Sequence, residues 1–346
     1  MTRSSTTSNA APPLALTMGE PSGIGPDISL AVWRRRADSG VPCFFLLACP
    51  ALVRQRAALL GLDVPVEEIS SPAEVAGMFQ RALPVLPLQR PVDAVPGAPA
   101  AANAGAVIEA IETAVSLYGQ DLASAVVTNP IQKASLYAAG FPHPGHTEFL
   151  ETLAGAGSQA VMMLAVPGLR VVPVTVHRAL ASVPGALSVD LIVRTARIVA
   201  AALRRDFGIE APRLAVAGLN PHAGEAGTLG REEVDIIAPA LAVLRAEGID
   251  LFGPAPADTL FHPEARARYD AALCMYHDQA LIPLKTIDFH NGVNVTLGLP
   301  FVRTSPDHGT ALDIAGKGTA DPRSLVAALK LAHDIAGARH RVRNAP

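Results

Sequence analysis

The sequence predicts an α/β fold built around a largely parallel sheet. Short apolar runs rich in β-branched residues alternate along the chain with longer alanine- and leucine-rich segments, in which apolar residues recur near helical spacing. Such alternation is typical of strands connected by helices that cover the sheet. The chain of 346 residues is 50% hydrophobic and only 17% charged, so it can bury a large core, and its length favours two domains.

Six segments have the composition of strands, and four have the periodicity of helices. The predicted strands are residues 14–18, 43–48, 124–128, 171–176, 214–217 and 293–297. The predicted helices are residues 28–36, 104–118, 189–205 and 232–246. A proline- and alanine-rich stretch, residues 83–105, interrupts the alternation, and we interpret it as an irregular surface crossing.

Charge and cysteine usage exclude several classes of protein. The net charge of −3 and the lack of a basic cluster argue against a nucleic-acid surface. Cys43, Cys49 and Cys274 are odd in number and scattered, which fits reduced thiols in the cytoplasm. The most apolar stretch, residues 43–53, is too short to span a membrane. Residues 1–13 lack the apolar core of a signal peptide, and we expect them to be a disordered lead-in.

Polar residues follow several of the predicted strands. The motifs are "MGEPSGIGPD", "TNPIQK", "TVH" and "GLNPHAGE", in chain order. Because sites in open α/β sheets form at the carboxyl ends of strands, these turns are candidate functional loops. Gly23 and Gly25 could present backbone N–H groups to an anion, but their spacing matches neither dinucleotide nor nucleotide fingerprints. A sharp strand-to-helix turn is the favoured interpretation of these two glycines.

Three histidines occupy similar positions after or near strands: His177, His222 and His277. Neutral imidazoles suit a divalent transition metal, and three protein ligands with an open position are typical of a catalytic site. Each histidine taken singly has an ordinary structural role as its alternative. Their separation along the chain excludes a compact finger-like motif, so only the fold or an oligomer could bring them together.

Further polar residues accompany these histidines. Asp258 and Asp278 could orient an imidazole or accept a proton, with loop capping as the alternative. A basic and polar set could bind an anionic ligand, because charges among apolar strands are costly unless paired, with solvent-facing loop positions as the alternative. That set comprises His146, Thr147, Lys285, Asn294 and Arg303.

Long motifs closely resemble the 4-hydroxythreonine-4-phosphate dehydrogenase family of pyridoxal phosphate biosynthesis. They are "TMGEPSGIGPD", "TNPI", "GHTEFL", "LNPHAGE", "YHDQ" and "VNVTLGLPFVRTSPDHGTALDIAGKG". The resemblance implies a fold like that of the isocitrate and isopropylmalate dehydrogenases, with two α/β domains around a central cleft. We expect one domain over residues 14–137 and 302–346, and a second over residues 138–301 that carries the metal ligands and the dimer interface.

The resemblance also implies a role for each candidate residue. His177, His222 and His277 would bind a divalent zinc, magnesium or cobalt ion at the interface of a homodimer, and we expect His277 of one subunit to complete a site whose other two histidines come from its partner. The implied substrate contacts are His146, Thr147, Lys285, Asn294 and Arg303. The implied cofactor contacts, to NAD or NADP, are His308, Gly309, Thr310 and Asp313. The expected catalytic residues are Asp258, Asp278 and Lys285.

The reaction implied is oxidation of 4-phosphooxy-L-threonine to a β-keto acid, which decarboxylates to 3-amino-2-oxopropyl phosphate. Asp313 would repel the 2′-phosphate of NADP, so we expect NAD to be preferred. Three alternatives stay open: a paralogue that oxidises another hydroxy acid, such as threonate or erythronate phosphate, a non-catalytic phosphometabolite sensor, and a metal-dependent hydrolase or aldolase. The complete histidine set favours an enzyme over the sensor, and the "DHGTALDIAGKG" loop favours a dehydrogenase over a hydrolase or aldolase.

Overall fold

A mixed sheet of twelve strands runs through the part of the chain that this computed structural model describes, residues 11–143 and 145–343. The strands are β1 (Leu14–Thr17), β2 (Phe44–Ala48), β3 (Val66–Glu68), β4 (Leu83–Pro87), β5 (Val126–Thr128), β6 (Val161–Val166), β7 (Leu169–Pro173), β8 (Arg213–Ala217), β9 (Asp250–Ala255), β10 (Ala271–Cys274), β11 (Val293–Leu297) and β12 (Arg303–Pro306). Their order across the sheet is β3-β4-β2-β1-β5-β12-β11-β6-β7-β10-β8-β9.

Helices connect most of these strands. They are α1 (Gly25–Arg34), α2 (Arg36–Ser39), α3 (Pro50–Leu59), α4 (Val75–Met78), α5 (Ala104–Gly119), α6 (Lys133–Ala138), α7 (His146–Ala154), α8 (Val183–Ala186), α9 (Val189–Phe207), α10 (Ala238–Ala246), α11 (Pro263–Arg266), α12 (His277–Ile287) and α13 (Arg323–Arg343). In the ranges described, none of these helices combines the length and apolar character needed to cross a bilayer.

Strand direction divides the sheet into two parallel halves that run in opposite directions. The first half, β3-β4-β2-β1-β5-β12, is parallel throughout, and so is the set β7-β10-β8-β9 in the second. Between them, β11 is antiparallel to both β12 and β6, and β6 is antiparallel to β7. This reversal lies next to the expected boundary at residue 302. The division into two domains stays a prediction.

The predicted α/β class is confirmed, and each of the ten predicted elements has a counterpart. The strand expected over residues 171–176 ends earlier, at Pro173. The helix expected from residue 232 begins with a π-helical turn, Glu233–Ile237, before α10. Of the expected lead-in, residues 1–10 lie outside the described residues, and residues 11–13 have no regular structure.

The prediction of an irregular crossing over residues 83–105 was wrong at its start. There β4 forms a parallel pair with both β2 and β3, although Pro84 and Pro87 each lack a backbone donor. The reason is burial: Leu83, Pro84 and Val85 are fully enclosed, so apolar packing outweighs the lost hydrogen bonds.

A buried ion pair fastens the C-terminal helix to the second half of the sheet. Asp206 on α9 is 3% exposed and accepts hydrogen bonds from Arg339 on α13, with Nε 2.7 Å from Oδ1. Arg339 also donates to the carbonyl oxygens of Pro300 and Leu299, in the loop between β11 and β12. Since α13 packs on β12, this network joins the two halves next to their junction.

We expect Asp206→Ala to lower the free energy of unfolding by about 3 kcal/mol, because it removes the buried carboxylate that pairs with the partly buried Arg339. Urea denaturation followed by circular dichroism measures this. As a matched control, Glu247→Ala breaks the exposed pair between Arg197 and Glu247 and should leave the unfolding curve nearly unchanged. Equal, small effects of both substitutions would mean that the buried pair does not stabilise the junction.

Candidate active site

The site begins with a buried arginine that has no carboxylate partner. Arg303, at the start of β12, is 5% exposed and donates from Nη1 to Thr296 Oγ1 (2.9 Å) and from Nη2 to Thr128 Oγ1 (2.7 Å). Within the described ranges its Nε has no hydrogen-bond partner and no carboxylate pairs with it. Burial lowers the pKa of Arg303 to about 10. A buried guanidinium in this state favours the binding of an anion.

A half-buried histidine lies beside this arginine. His146 is the first residue of α7, and its Nδ1 is 3.4 Å from Arg303 Nη2. Burial, reinforced by Arg303 and Lys133, holds the pKa of His146 well below its usual range, so the imidazole is neutral. Its Nε2 is buried and has no partner among the described residues. Thr147 follows His146 on α7, and Asn294 on β11 lies opposite Ser305 of β12.

Helix α12 brings a lysine towards the end of β12. Lys285 Nζ lies 3.1 Å from Oδ2 of Asp307, which directly follows β12. Burial raises the pKa of Asp307, and the positive charge of Lys285 opposes that rise. Since α12 starts at His277, the helix spans about 12 Å from the imidazole to Lys285 and connects the two parts of the site.

Two of the three predicted metal ligands are side by side. The ring centroids of His177 and His277 are 5.6 Å apart, and Asp278 Oδ1 lies 2.7 Å from Nδ1 of His277. That contact leaves Nε2 of His277 available to a ligand. Burial lowers the pKa of His177, and Lys133 and His277 lower it further. The positive charge of Lys133 therefore contributes to the lowered pKa of both His146 and His177.

The third histidine is not grouped with the other two. Within residues 11–143 and 145–343 of one chain, no three His, Cys, Asp or Glu side chains lie close enough to hold a metal ion. His222 is exposed and lies in a turn after β8. Asp258 is also exposed, on a short turn of 3₁₀ helix that packs against the His222 turn. Asp258 and His222 therefore form a second group within the chain.

Unusual backbone geometry is concentrated in these loops. Residues 222–226 all have left-handed φ and ψ angles, and four of the five carry a side chain. A left-handed helical conformation costs about 1–2 kcal/mol for each such residue. His177 (φ 50°) and Ala311 (φ 41°) also have positive φ. Strain of this kind persists only where surrounding contacts enforce it, and it is frequent at functional sites.

The predicted cofactor loop packs on the first strand-to-helix turn. Ile24 N donates to Thr310 O at 3.0 Å, and a Cβ on Gly23 would come within 2.8 Å of that oxygen, so glycine is required there. Asp27, which is ion-paired with the buried Arg56, accepts a hydrogen bond from Gly316 N at 2.7 Å. These contacts hold the loop from His308 to Asp313 in place. His308 Nε2 is buried with no described partner, and Asp313 is exposed.

Sequence reasoning did not identify Lys133, Asp307, Thr128 or Thr296. Lys133 ends "TNPIQK" and Asp307 precedes His308 in "SPDHGT", so both were within recognised motifs. Their importance follows from the charges that the fold places around them, those near Lys133 being His146 and His177 and that near Asp307 being Lys285, and no local pattern indicates these contacts. The two threonines also lie within quoted motifs, Thr128 at the start of "TNPIQK" and Thr296 in "VNVTLGLP", but neither was assigned a role.

We expect acidification from about pH 7.5 to about 5.5 to destabilise the wild type more than His146→Asn. The folded-state pKa of His146 is lowered from 6.5, so the unfolded chain takes up the proton first. Stability from this group is therefore present above about pH 6.5 and lost as the pH falls, by at most about 1.4 kcal/mol per pH unit. Urea denaturation at each pH measures it. His333→Asn, at an exposed position on α13, should retain the wild-type dependence. Identical profiles for the wild type and His146→Asn would contradict the neutral buried imidazole.

Comparison with known proteins identifies the family of this chain. The profile of the family described as pyridoxal phosphate biosynthetic protein PdxA matches residues 41–332. The 4-hydroxythreonine-4-phosphate dehydrogenase of Methylorubrum populi is 61% identical over 330 residues, 94% of each chain. The crystal structure of the same enzyme from Klebsiella pneumoniae has a TM-score of 0.85 at 38% identity, covering 95% of this chain and 99% of that one. A terephthalate 1,2-cis-dihydrodiol dehydrogenase from Burkholderia xenovorans is 28% identical with a TM-score of 0.62, covering 94% and 98%. The chain belongs to the PdxA family.

Proposed function

We propose that the groups around Arg303 and His277 form one active site, in which the chain acts as a 4-hydroxythreonine-4-phosphate dehydrogenase of pyridoxal phosphate biosynthesis. The observation that carries this proposal is the buried guanidinium of Arg303, which has no carboxylate partner in the described chain. The enzyme oxidises the secondary alcohol of 4-phosphooxy-L-threonine, with hydride passing to NAD or NADP. The β-keto acid formed then loses carbon dioxide to give 3-amino-2-oxopropyl phosphate.

The anionic groups of the substrate bind to the basic set around Arg303. Arg303 Nε and His146 Nε2 are buried atoms without partners, and a substrate oxygen at each would satisfy them. Thr147 and Asn294 supply further polar groups at the same end of the sheet. Lys285 adds a second basic side chain, which is ion-paired with Asp307. This arrangement suits a phosphorylated hydroxy acid.

The residues present fit a divalent metal ion, which we propose to be zinc, magnesium or cobalt. His177 and His277 lie side by side, and the contact of Asp278 with Nδ1 of His277 directs Nε2 outward. Such an ion supplies, when bound, stabilisation of negative charge on the substrate oxygen. Because His222 is apart from this pair, we propose that it comes from the partner subunit of a homodimer. This division of the three histidines between subunits differs from the expected one, in which His177 and His222 came from one subunit and His277 from the other.

Asp278 and Asp258 have separate roles in this proposal. Asp278 is bound to His277 and holds that imidazole in orientation. Asp258 packs next to the His222 turn, so it enters the partner's site together with His222 and accepts the proton of the substrate hydroxyl. Lys285, ion-paired with Asp307, stabilises the anionic substrate.

The nicotinamide cofactor binds along the loop from His308 to Asp313. Its adenosine half contacts His308, Gly309 and Thr310, which the first strand-to-helix turn holds in position. The exposed carboxylate of Asp313 disfavours a 2′-phosphate, so NAD is preferred over NADP. The free thiols of Cys43, Cys49 and Cys274 fit a reducing cytoplasm.

We expect Arg303→Lys to raise the KM for 4-phosphooxy-L-threonine by about 10- to 100-fold, because a lysine cannot reproduce the two threonine bonds and the free Nε donor. Absorbance of reduced cofactor in the near ultraviolet measures the rate. Arg170→Lys alters another buried arginine, on β7, and should retain the wild-type KM. An unchanged KM in Arg303→Lys would refute the assignment of the anion site.

The division of ligands between subunits predicts which inactive variants rescue one another. His222→Ala mixed with His277→Ala should regain up to about a quarter of wild-type activity. Random exchange makes about half the dimers mixed, and each mixed dimer has one complete site in two. His177→Ala mixed with His277→Ala should regain no activity. One subunit supplies both of these histidines to a given site, so each site of a mixed dimer would lack one of them.

Subunit exchange is verified by native mass spectrometry before activity is measured. Rescue in the His177→Ala and His277→Ala mixture would instead place those two ligands on different subunits. Failure of the His222→Ala and His277→Ala mixture despite proven exchange would place both ligands on one chain.

A further inference from the structure

We propose that Glu233 is a positioning residue for His222, acting through the left-handed turn of residues 222–226. The inference rests on the proposed function, in which His222 is a metal ligand. The turn carries five consecutive residues with left-handed backbone angles. Something outside the turn must therefore hold it, and the only carboxylate in the described chain that accepts hydrogen bonds from the backbone at the entrance to the turn belongs to Glu233.

Three donors converge on this carboxylate. Glu233 Oε1 accepts hydrogen bonds from the backbone N–H groups of Leu219 and Asn220, each at 2.7 Å. Oε2 accepts a bond from Asn220 Nδ2 at 2.9 Å. Asn220 lies two residues before His222, so these bonds fix the direction in which the chain enters the turn.

Glu233 has no cationic partner within the described residues. It is 3% exposed, and no lysine, arginine or histidine there forms an ion pair with it. Burying a carboxylate is costly unless its oxygens are hydrogen-bonded, so the three N–H donors must remain in place. The requirement is reciprocal: the donors satisfy the carboxylate, and the carboxylate holds the donors.

The turn also packs directly on this side chain. A Cβ on Gly224 would lie 2.5 Å from Glu233 Oε2, and one on Gly218 would lie 3.0 Å from Oε1. Both glycines therefore allow the backbone to wrap closely around the carboxylate. Glu233 itself begins the π-helical turn Glu233–Ile237, a type of irregularity that is frequent at functional sites.

The start of the same segment is fixed independently. Gly218 O accepts a hydrogen bond from Gln279 Nε2 at 2.7 Å, and Gln279 Oε1 accepts one from Met275 N. Gln279 is on α12, two residues after His277. Loss of the Glu233 contacts would therefore free the chain after Gly218, including the turn that carries His222. Gly218 itself would stay hydrogen-bonded to Gln279 on α12.

The test measures binding of Co²⁺ to metal-free, full-length protein by isothermal titration calorimetry. Glu233→Gln should weaken Co²⁺ binding by about 10- to 100-fold, because an amide group places a donor against at least one of the three N–H groups. Glu232→Gln is the matched control: its carboxylate is adjacent but accepts a bond only from Asn220 Nδ2, and its affinity should stay within about 3-fold of wild type. Wild-type affinity in folded Glu233→Gln, even with a lowered melting temperature, would reduce Glu233 to a structural role and overturn the proposal.

A double-mutant cycle separates this inference from the proposed function. In a His222→Ala background, Glu233→Gln should weaken Co²⁺ binding no further, since both changes remove the same ligand. If His222→Ala alone bound Co²⁺ with wild-type affinity, the ligand assignment would fail. If His222→Ala bound weakly while Glu233→Gln did not, only the positioning role would fail.

Should Glu233→Gln not fold, Asn220→Ala removes one of the three donors to Glu233 and is expected to weaken Co²⁺ binding by about 3- to 10-fold. Unchanged Co²⁺ affinity in Asn220→Ala would overturn the proposal.

Discussion

The buried, carboxylate-free guanidinium of Arg303 is the constraint around which the active site is arranged. Its side chain donates to Thr128 on β5, in the first half of the sheet, and to Thr296 on β11, beyond the reversal of strand direction. The charge therefore lies at the junction of the two halves. Since a buried cation is stable only with compensating partners, this junction is energetically incomplete until an anion binds. In the proposed site, the anionic group of the substrate would supply the missing partner of this junction.

Helix α12 connects this anion site to the imidazole pair. It begins at His277, which follows β10 in the second half, and carries Lys285 to Asp307, which follows β12 in the first. A helix between the two groups fixes the spacing of the proposed metal ligand His277 and the proposed anion contact Lys285. Under the proposed function, a substrate whose reacting hydroxyl and phosphate match that spacing would be held at both ends.

The sequence allowed the α/β class, the main strands and every candidate loop to be predicted, because these depend on local periodicity and on motifs such as "LNPHAGE". The sequence did not allow β4 to be predicted. Pro84 and Pro87 argue against a strand when the sequence is read locally, and the burial that compensates for them depends on the whole fold. The pairing of His177 with His277 depends on the adjacent positions of β7 and β10 in the sheet. Because β8 also borders β10, the position of His222 depends on the turn after β8 and not on strand order. Lys133 and Asp307 gain significance only from contacts that form in the folded chain.

The loops that carry function in this enzyme are strained but firmly held, and buried carboxylates hold them. Asp27 accepts the N–H of Gly316 after the cofactor loop, and Glu233 accepts two N–H groups before the His222 turn. In both cases a side chain from the adjacent helical segment replaces the backbone partners that an irregular loop lacks. The free energy of these bonds offsets that of left-handed residues such as Ala311 and His222. Irregular geometry and rigidity therefore coexist, which a site needs if its ligands are to be oriented before the substrate or the partner subunit arrives.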